Sequence, residues 1–125
     1  MNLSATASRF DNSISWLAAI GNRAALTVFD HFGPGTIYAR NQELTAKLRA
    51  ALTSAGWGPL DLPEPNQSTI VSVPLGHAEP SRLLRSLSEQ GIICSARDGN
   101  LRLSVHFYNH EDDIERLVTT LASFR

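Results

Sequence analysis

One dipeptide constrains this chain more than any other feature. Asp98-Gly99 stands between Ile92-Ile93-Cys94-Ser95-Ala96-Arg97 and Asn100-Leu101-Arg102-Leu103-Ser104-Val105-His106. Asp-Gly favours a two-residue hairpin loop, because both loop positions must take positive φ. Pairing about that turn sets Ile92, Cys94 and Ala96 beside Leu101, Leu103 and Val105 on one face. Ser95, Arg97, Asn100, Arg102, Ser104 and His106 fall on the other, with Ile93 its only apolar member. Slipping the loop to Gly99-Asn100 keeps the same two faces. Such a hairpin packs one face on helices and leaves the other polar and open.

The remaining segments supply those helices. Leu17, Ile20, Ala24 and Val28 follow helical spacing between about Ser13 and His31, and Trp16, Leu26 and Phe29 add apolar surface elsewhere around the axis. A helix apolar on several sides is expected to be buried or shared with a partner. Phe32-Gly33-Pro34-Gly35-Thr36 breaks it, and a second helix follows from about Thr36 to Ala55, with Ile37, Leu44, Leu48 and Leu52 as its stripe. Gly56 to Gln67 reads as an extended loop, and Ser68 to Val73 as a strand that Pro74 ends or marks as an edge. Glu79-Pro80-Ser81 opens a third helix, with Leu83, Leu84 and Leu87 inward and Gly91 closing it. After the hairpin, Asn109 is expected to cap a last helix. Asp112 and Asp113 lie in its first turn, and Ile114, Leu117, Val118, Leu121 and Phe124 form its apolar side. The order ααβαββα predicts an α+β fold with a small, mainly antiparallel sheet of about three strands backed by helices.

At 125 residues, 42% of them hydrophobic and with a formal net charge of −1, the chain suits one domain, residues 1–125, and argues against disorder. Residues 1–12 are expected to form an extended or flexible arm. The longest apolar run, Trp16 to Ile20, is far short of the ~20 residues needed to span a bilayer. Met1 to Ala7 has neither a basic start nor an apolar stretch, so no secretory signal is expected. The lone Cys94 suits a reducing compartment, and a cytoplasmic location follows. Basic and acidic residues balance, which argues against nucleic acid as a partner.

Candidate chemistry is sparse. His31, His77, His106, His110 and Cys94 do not fall at metal-ligand spacing. Cys94 lies on the apolar hairpin face, where burial raises a thiol's pKa and blunts it as a nucleophile. Gly33-Pro34-Gly35 lacks the spacing of a phosphate loop. Ten of the eleven basic residues are Arg, and the one Lys, Lys47, follows Glu43 by four on a helix surface. Arg102 is the better candidate. A guanidinium in mid-strand, beside Ser104 and His106 on the open face, suits bidentate capture of a carboxylate, although composition alone favours a solvated or internally paired arginine there.

The run Arg97-Asp98-Gly99-Asn100-Leu101-Arg102-Leu103-Ser104-Val105-His106-Phe107-Tyr108-Asn109-His110-Glu111-Asp112-Asp113-Ile114 resembles the C-terminal signature of the class V aminotransferase family. These are pyridoxal-phosphate enzymes that include cysteine desulfurases and selenocysteine lyases. Arg9-Phe10-Asp11 and the Leu44-Leu48-Leu52 helix are similar too, so the resemblance covers nearly all of this chain but only the last third or so of such an enzyme. It implies the small C-terminal domain of that fold, with Arg102 as the arginine that holds the substrate α-carboxylate. His106 and Asn109 match the signature that follows, and with Arg97 and Ser104 they are expected at the pocket edge. Asp11-Asn12-Ser13-Ile14 departs from the family, which has a Gly-Thr pair reaching the cofactor phosphate of a neighbouring subunit. The family's Schiff-base lysine lies upstream of everything matched here, and Lys47 does not correspond to it.

The expectation is therefore a stand-alone domain that is not catalytic by itself, an interaction module or remnant that forms a homodimer. The alternative is the small subunit of a split enzyme, lending Arg102 to a separately encoded large domain, with pyridoxal phosphate present only in that assembly. A weak amino- or carboxylic-acid sensor is a third reading.

Overall fold

The structure is a computed structural model that describes residues 5–6, 15–63 and 66–124. Most of the expected arm, residues 1–12, lies outside the described residues, as do Arg9-Phe10-Asp11 and Asp11-Asn12-Ser13-Ile14. Two compact units are present, Met1–Pro34 and Gly35–Arg125, each described by itself.

In the first unit, α1 (Trp16–Phe32) starts where the Ser15 hydroxyl accepts the Ala18 N–H at 3.4 Å. It ends at Gly33, whose φ of 79° is left-handed and whose N–H donates to the Phe29 carbonyl. The Gly33-Pro34-Gly35 break is shorter than expected. Pro34 already opens the next helix, since a first-turn proline lacks only an N–H that has no partner there. No residue of α1 is buried, and Trp16 and Leu17 are 81% and 83% exposed.

The second unit holds α2 (Pro34–Ser54), β1 (Ile70–Pro74), α3 (Pro80–Glu89), β2 (Ser95–Arg97), β3 (Asn100–Ser104) and α4 (Glu111–Leu121), followed by a 3-10 turn, Ala122–Phe124. With α1, the order is the expected ααβαββα. The sheet is antiparallel throughout, with strand order β1-β3-β2. Asp98 and Gly99 take φ of 51° and 75° between Arg97 and Asn100, which pair across the turn. This is the two-residue loop the dipeptide called for.

Alternation decides which way the sheet faces. Val71 and Val73 pair with Leu103 and Leu101, all buried, and Ala96 pairs with Leu101 on the same side. That face packs with Leu44, Leu48 and Leu52 of α2, Leu83 and Leu87 of α3, and Ile114, Leu117 and Leu121 of α4. Each fully buried leucine is worth about 1.5–3 kcal/mol of transfer free energy, so this face is the main source of the unit's stability.

Two strand boundaries differ from expectation. β2 begins at Ser95 rather than Ile92, because the Ile92 N–H donates to the Leu87 carbonyl and closes the end of α3, leaving Ile93 86% exposed. β1 begins at Ile70, after Ser68 turns the chain by accepting the Ile70 N–H at 3.1 Å. Pro74 closes β1 on an edge strand, where a missing N–H is tolerated. The outer edge of β1 is covered by the preceding loop, whose Leu60 N–H donates to the Ser72 carbonyl at 2.8 Å. Arg49 anchors that loop through the Leu60 carbonyl and Asp61.

A Cβ added at Gly99 would meet nothing within 4 Å, so its cost is conformational alone. Gly99→Ala should lower stability by about 1–2 kcal/mol, read as a shifted urea midpoint with an unchanged slope.

Candidate functional site

Arg102 lies at the middle of the central strand, paired with Ser72 on one side and Ser95 on the other. Its neighbours Leu101 and Leu103 are buried, so strand alternation forces the guanidinium onto the open face. A shallow cleft of about 320 Å³ forms there, lined by Ser72, Arg97, Asp98, Asn100 and Arg102. Arg102 is half-buried, and among the described residues no carboxylate pairs with it. Arg97 meets Asp98 through Nε at 3.4 Å, an exposed contact of little energetic weight. Ser72 comes from a distant strand, and no sequence signal set it beside Arg102.

The other expected pocket-edge residues lie elsewhere. Ser104 and Asn109 line a separate cavity of about 170 Å³ that also touches Cys94 and Asp113. His106 and Asn109 build the corner between β3 and α4. The His106 N–H donates to Asn109 Oδ1 at 2.9 Å, and Asn109 Nδ2 donates to Asp113 Oδ2 at 3.2 Å. The His106 ring stacks on Tyr108 with centroids 5.0 Å apart. Asn109 is not the helix cap. His110 takes that position, and its N–H donates to Asp113 Oδ2 at 3.1 Å, because the Asn109 side-chain Oδ1 already accepts the His106 N–H on the turn. The His110 N–H and then the Asn109 amide hold the Asp113 carboxyl below its usual range. Burial pushes the Cys94 thiol up, away from reactivity. Among the described residues no group of three or more His, Cys, Asp or Glu is placed to hold a metal ion.

The Aminotransferase class-V family profile matches residues 3–117. The chain belongs to the class V aminotransferase family. Among solved structures it is similar to a cysteine desulfurase in its apo form from Thermococcus onnurineus NA1, with a TM-score of 0.77 and 16% identity. That likeness covers 98% of this chain and 36% of the desulfurase chain, so the fold here corresponds to about a third of that protein. No curated protein matches.

Members of this family depend on pyridoxal phosphate, and their chemistry begins with a lysine amine. Lys47 does not fit that use. Its ammonium donates to Glu43 and, at 2.6 Å, to Glu111, in a network completed by a two-pronged contact of Arg40 with Glu111 at 3.1 Å. The Glu111 and then the Glu43 hydrogen bond push Lys47 above its ordinary pKa, whereas a Schiff-base nucleophile needs a free amine. Spacing foretold the Glu43–Lys47 pair. Glu111, on another helix, joins it only through the fold. The network ties α2 to the first turn of α4, where three acidic residues also meet the positive end of the helix dipole.

Arg40 and Lys47 lower the Glu111 carboxyl to about 2. A depressed carboxylate stabilises the fold fully above its unfolded value of about 4.5, and that contribution fades as pH falls toward about 2. The urea midpoint of the native chain should therefore drop over that acid range, and Glu111→Gln should drop less. The difference should shrink in molar salt, since these groups are half-exposed.

Proposed function

We propose that this chain is the carboxylate-receiving small domain of a class V aminotransferase-type assembly, with Arg102 as the residue that holds the carboxylate. The carrying observation is the Arg102 cleft, in which a half-buried guanidinium, without a carboxylate partner among the described residues, stands between two serines on the open face of the sheet. Arg40, also half-buried, is by contrast neutralised by Glu111 and Glu43. The domain binds and orients, and a lysine-bearing large domain from outside these residues supplies pyridoxal phosphate and the imine chemistry. By itself the chain is a binding module, which also accounts for a weak amino-acid sensor reading. The lone cysteine supports a reducing, cytoplasmic setting. Among the described residues no helix is long and apolar enough to cross a membrane.

Titrating the chain with L-alanine and following backbone and arginine Nε–H resonances tests the reading. The expected result is millimolar binding, with shifts at Ser72, Asn100 and Arg102. A charge-assisted hydrogen-bonded contact is worth about 1.5–3 kcal/mol, so Arg102→Gln should weaken binding by about 10- to 100-fold. Shifts that survive Arg102→Gln at full strength defeat the assignment.

A second reading rests on α1. Trp16, Leu17, Ile20, Leu26 and Phe32 are all exposed along one helix, a surface that water does not favour. In that reading α1 is the contact surface of a non-catalytic interaction module and pairs with a second copy. Sedimentation should then show a dimer that Ile20→Glu converts to monomer, whereas a native monomer at high concentration removes the homodimer.

A further inference from the structure

The cleft holds a second cation that carboxylate capture by Arg102 does not use. The register sets Arg97 opposite Asn100 and Arg102 opposite Ser95, so the two arginines are diagonal neighbours on the same open face. Diagonal neighbours across an antiparallel pair stand about 7–8 Å apart, within joint reach of two long side chains. Both line the same cleft. The one carboxylate there, Asp98, touches only Nε of Arg97, and both groups are largely exposed, at 71% and 85%. The terminal guanidinium nitrogens of Arg97 have no hydrogen-bond partner among the described residues. Asn100 is turned to the hairpin itself, donating its amide to the Asp98 carbonyl at 2.8 Å.

The charge count is two guanidinium groups against one carboxylate. Like charges held this close across strands oppose each other, and an anion that meets both relieves the repulsion and gains two charge-assisted contacts. We propose that Arg97 and Arg102 form a two-point anion site whose preferred ligand is an amino acid with an acidic side chain, the α-carboxylate on Arg102 and the second anionic group on Arg97. This rests on the assignment of Arg102 as the carboxylate receiver and adds the ligand class that the cleft selects. A neutral side chain leaves Arg97 to water. An acidic one exchanges that water for a cation without burying an unpaired charge, since the cleft is open.

L-aspartate and L-asparagine differ here only in the charge of the side-chain group, which makes them the discriminating probes. Both are titrated into the full chain in low salt, reading the Nε–H signals of Arg97 and Arg102 and the Ser72 and Asn100 amides. Aspartate should bind about 3- to 10-fold more tightly than asparagine, the preference should fall off with added salt, and only aspartate should move the Arg97 signal. In Arg97→Gln the aspartate-to-asparagine ratio should fall to about one. Arg97 is exposed beside the turn, so the variant is expected to fold, and its amide spectrum and urea midpoint check this directly. An Arg85→Gln chain, which removes one exposed cation on α3 outside the cleft, should keep the preference and serves as a second comparison. Equal binding of the two probes in the native chain overturns the two-point site and leaves Arg102 as a single receiver. A preference that persists in Arg97→Gln overturns the role of Arg97. If neither probe moves Arg102 at tens of millimolar, the carboxylate assignment falls and the two-point site falls with it.

Discussion

Everything in the second unit depends on the one-sidedness of β3. Leu101 and Leu103 of that strand, with Val105 just beyond it, are buried, and the residues between them, Arg102 and Ser104, are directed the other way. A slip of one residue would carry Arg102 into a core of leucines, where an unpaired guanidinium is prohibitively costly, and expose Leu101 and Leu103 in exchange. Because β3 is the central strand, the same choice sets the register of both neighbours. Helix packing and the position of the cleft are therefore two results of one alternation.

The molecule treats its charges in two contrasting ways. Between α2 and α4, Arg40, Lys47, Glu43 and Glu111 neutralise one another at short range. On the open sheet face, Asp98 engages Arg97 weakly, and among the described residues no carboxylate pairs with Arg102. The first arrangement is self-contained and ties helix to helix. The second is open to solvent. Lys47 is part of the self-contained network, where its hydrogen bonds to Glu111 and Glu43 raise its pKa.

Much of the fold was legible because its signals are local. Asp98-Gly99, the period-two pattern of Leu101 to Val105, and the Leu44-Leu48-Leu52 and Ile114-Leu117-Leu121 stripes are all short-range, and each reappears as expected. The errors lie at element ends. Asn109 has the chemistry of a helix cap, yet its side chain serves the His106 turn and the cap passes to His110. Ile92 has strand propensity, yet its N–H completes α3. In each case two local uses competed for one hydrogen-bonding group, and neighbouring structure chose between them.

The site divides along the same line. The sequence by itself determined that Arg102 and Arg97 share the polar face of a hairpin, because the dipeptide turn and the alternation leave no other solution. It also determined the likeness to the class V aminotransferases, through the run from Arg97 to Ile114. Only the tertiary structure decided that Ser72 joins Arg102, that Ser104 and Asn109 open onto a different cavity, and that Glu111 engages Lys47. Those are contacts between residues far apart in the chain. Burial of the leucine face brings them together, and no local pattern encodes which distant residues that burial will make adjacent.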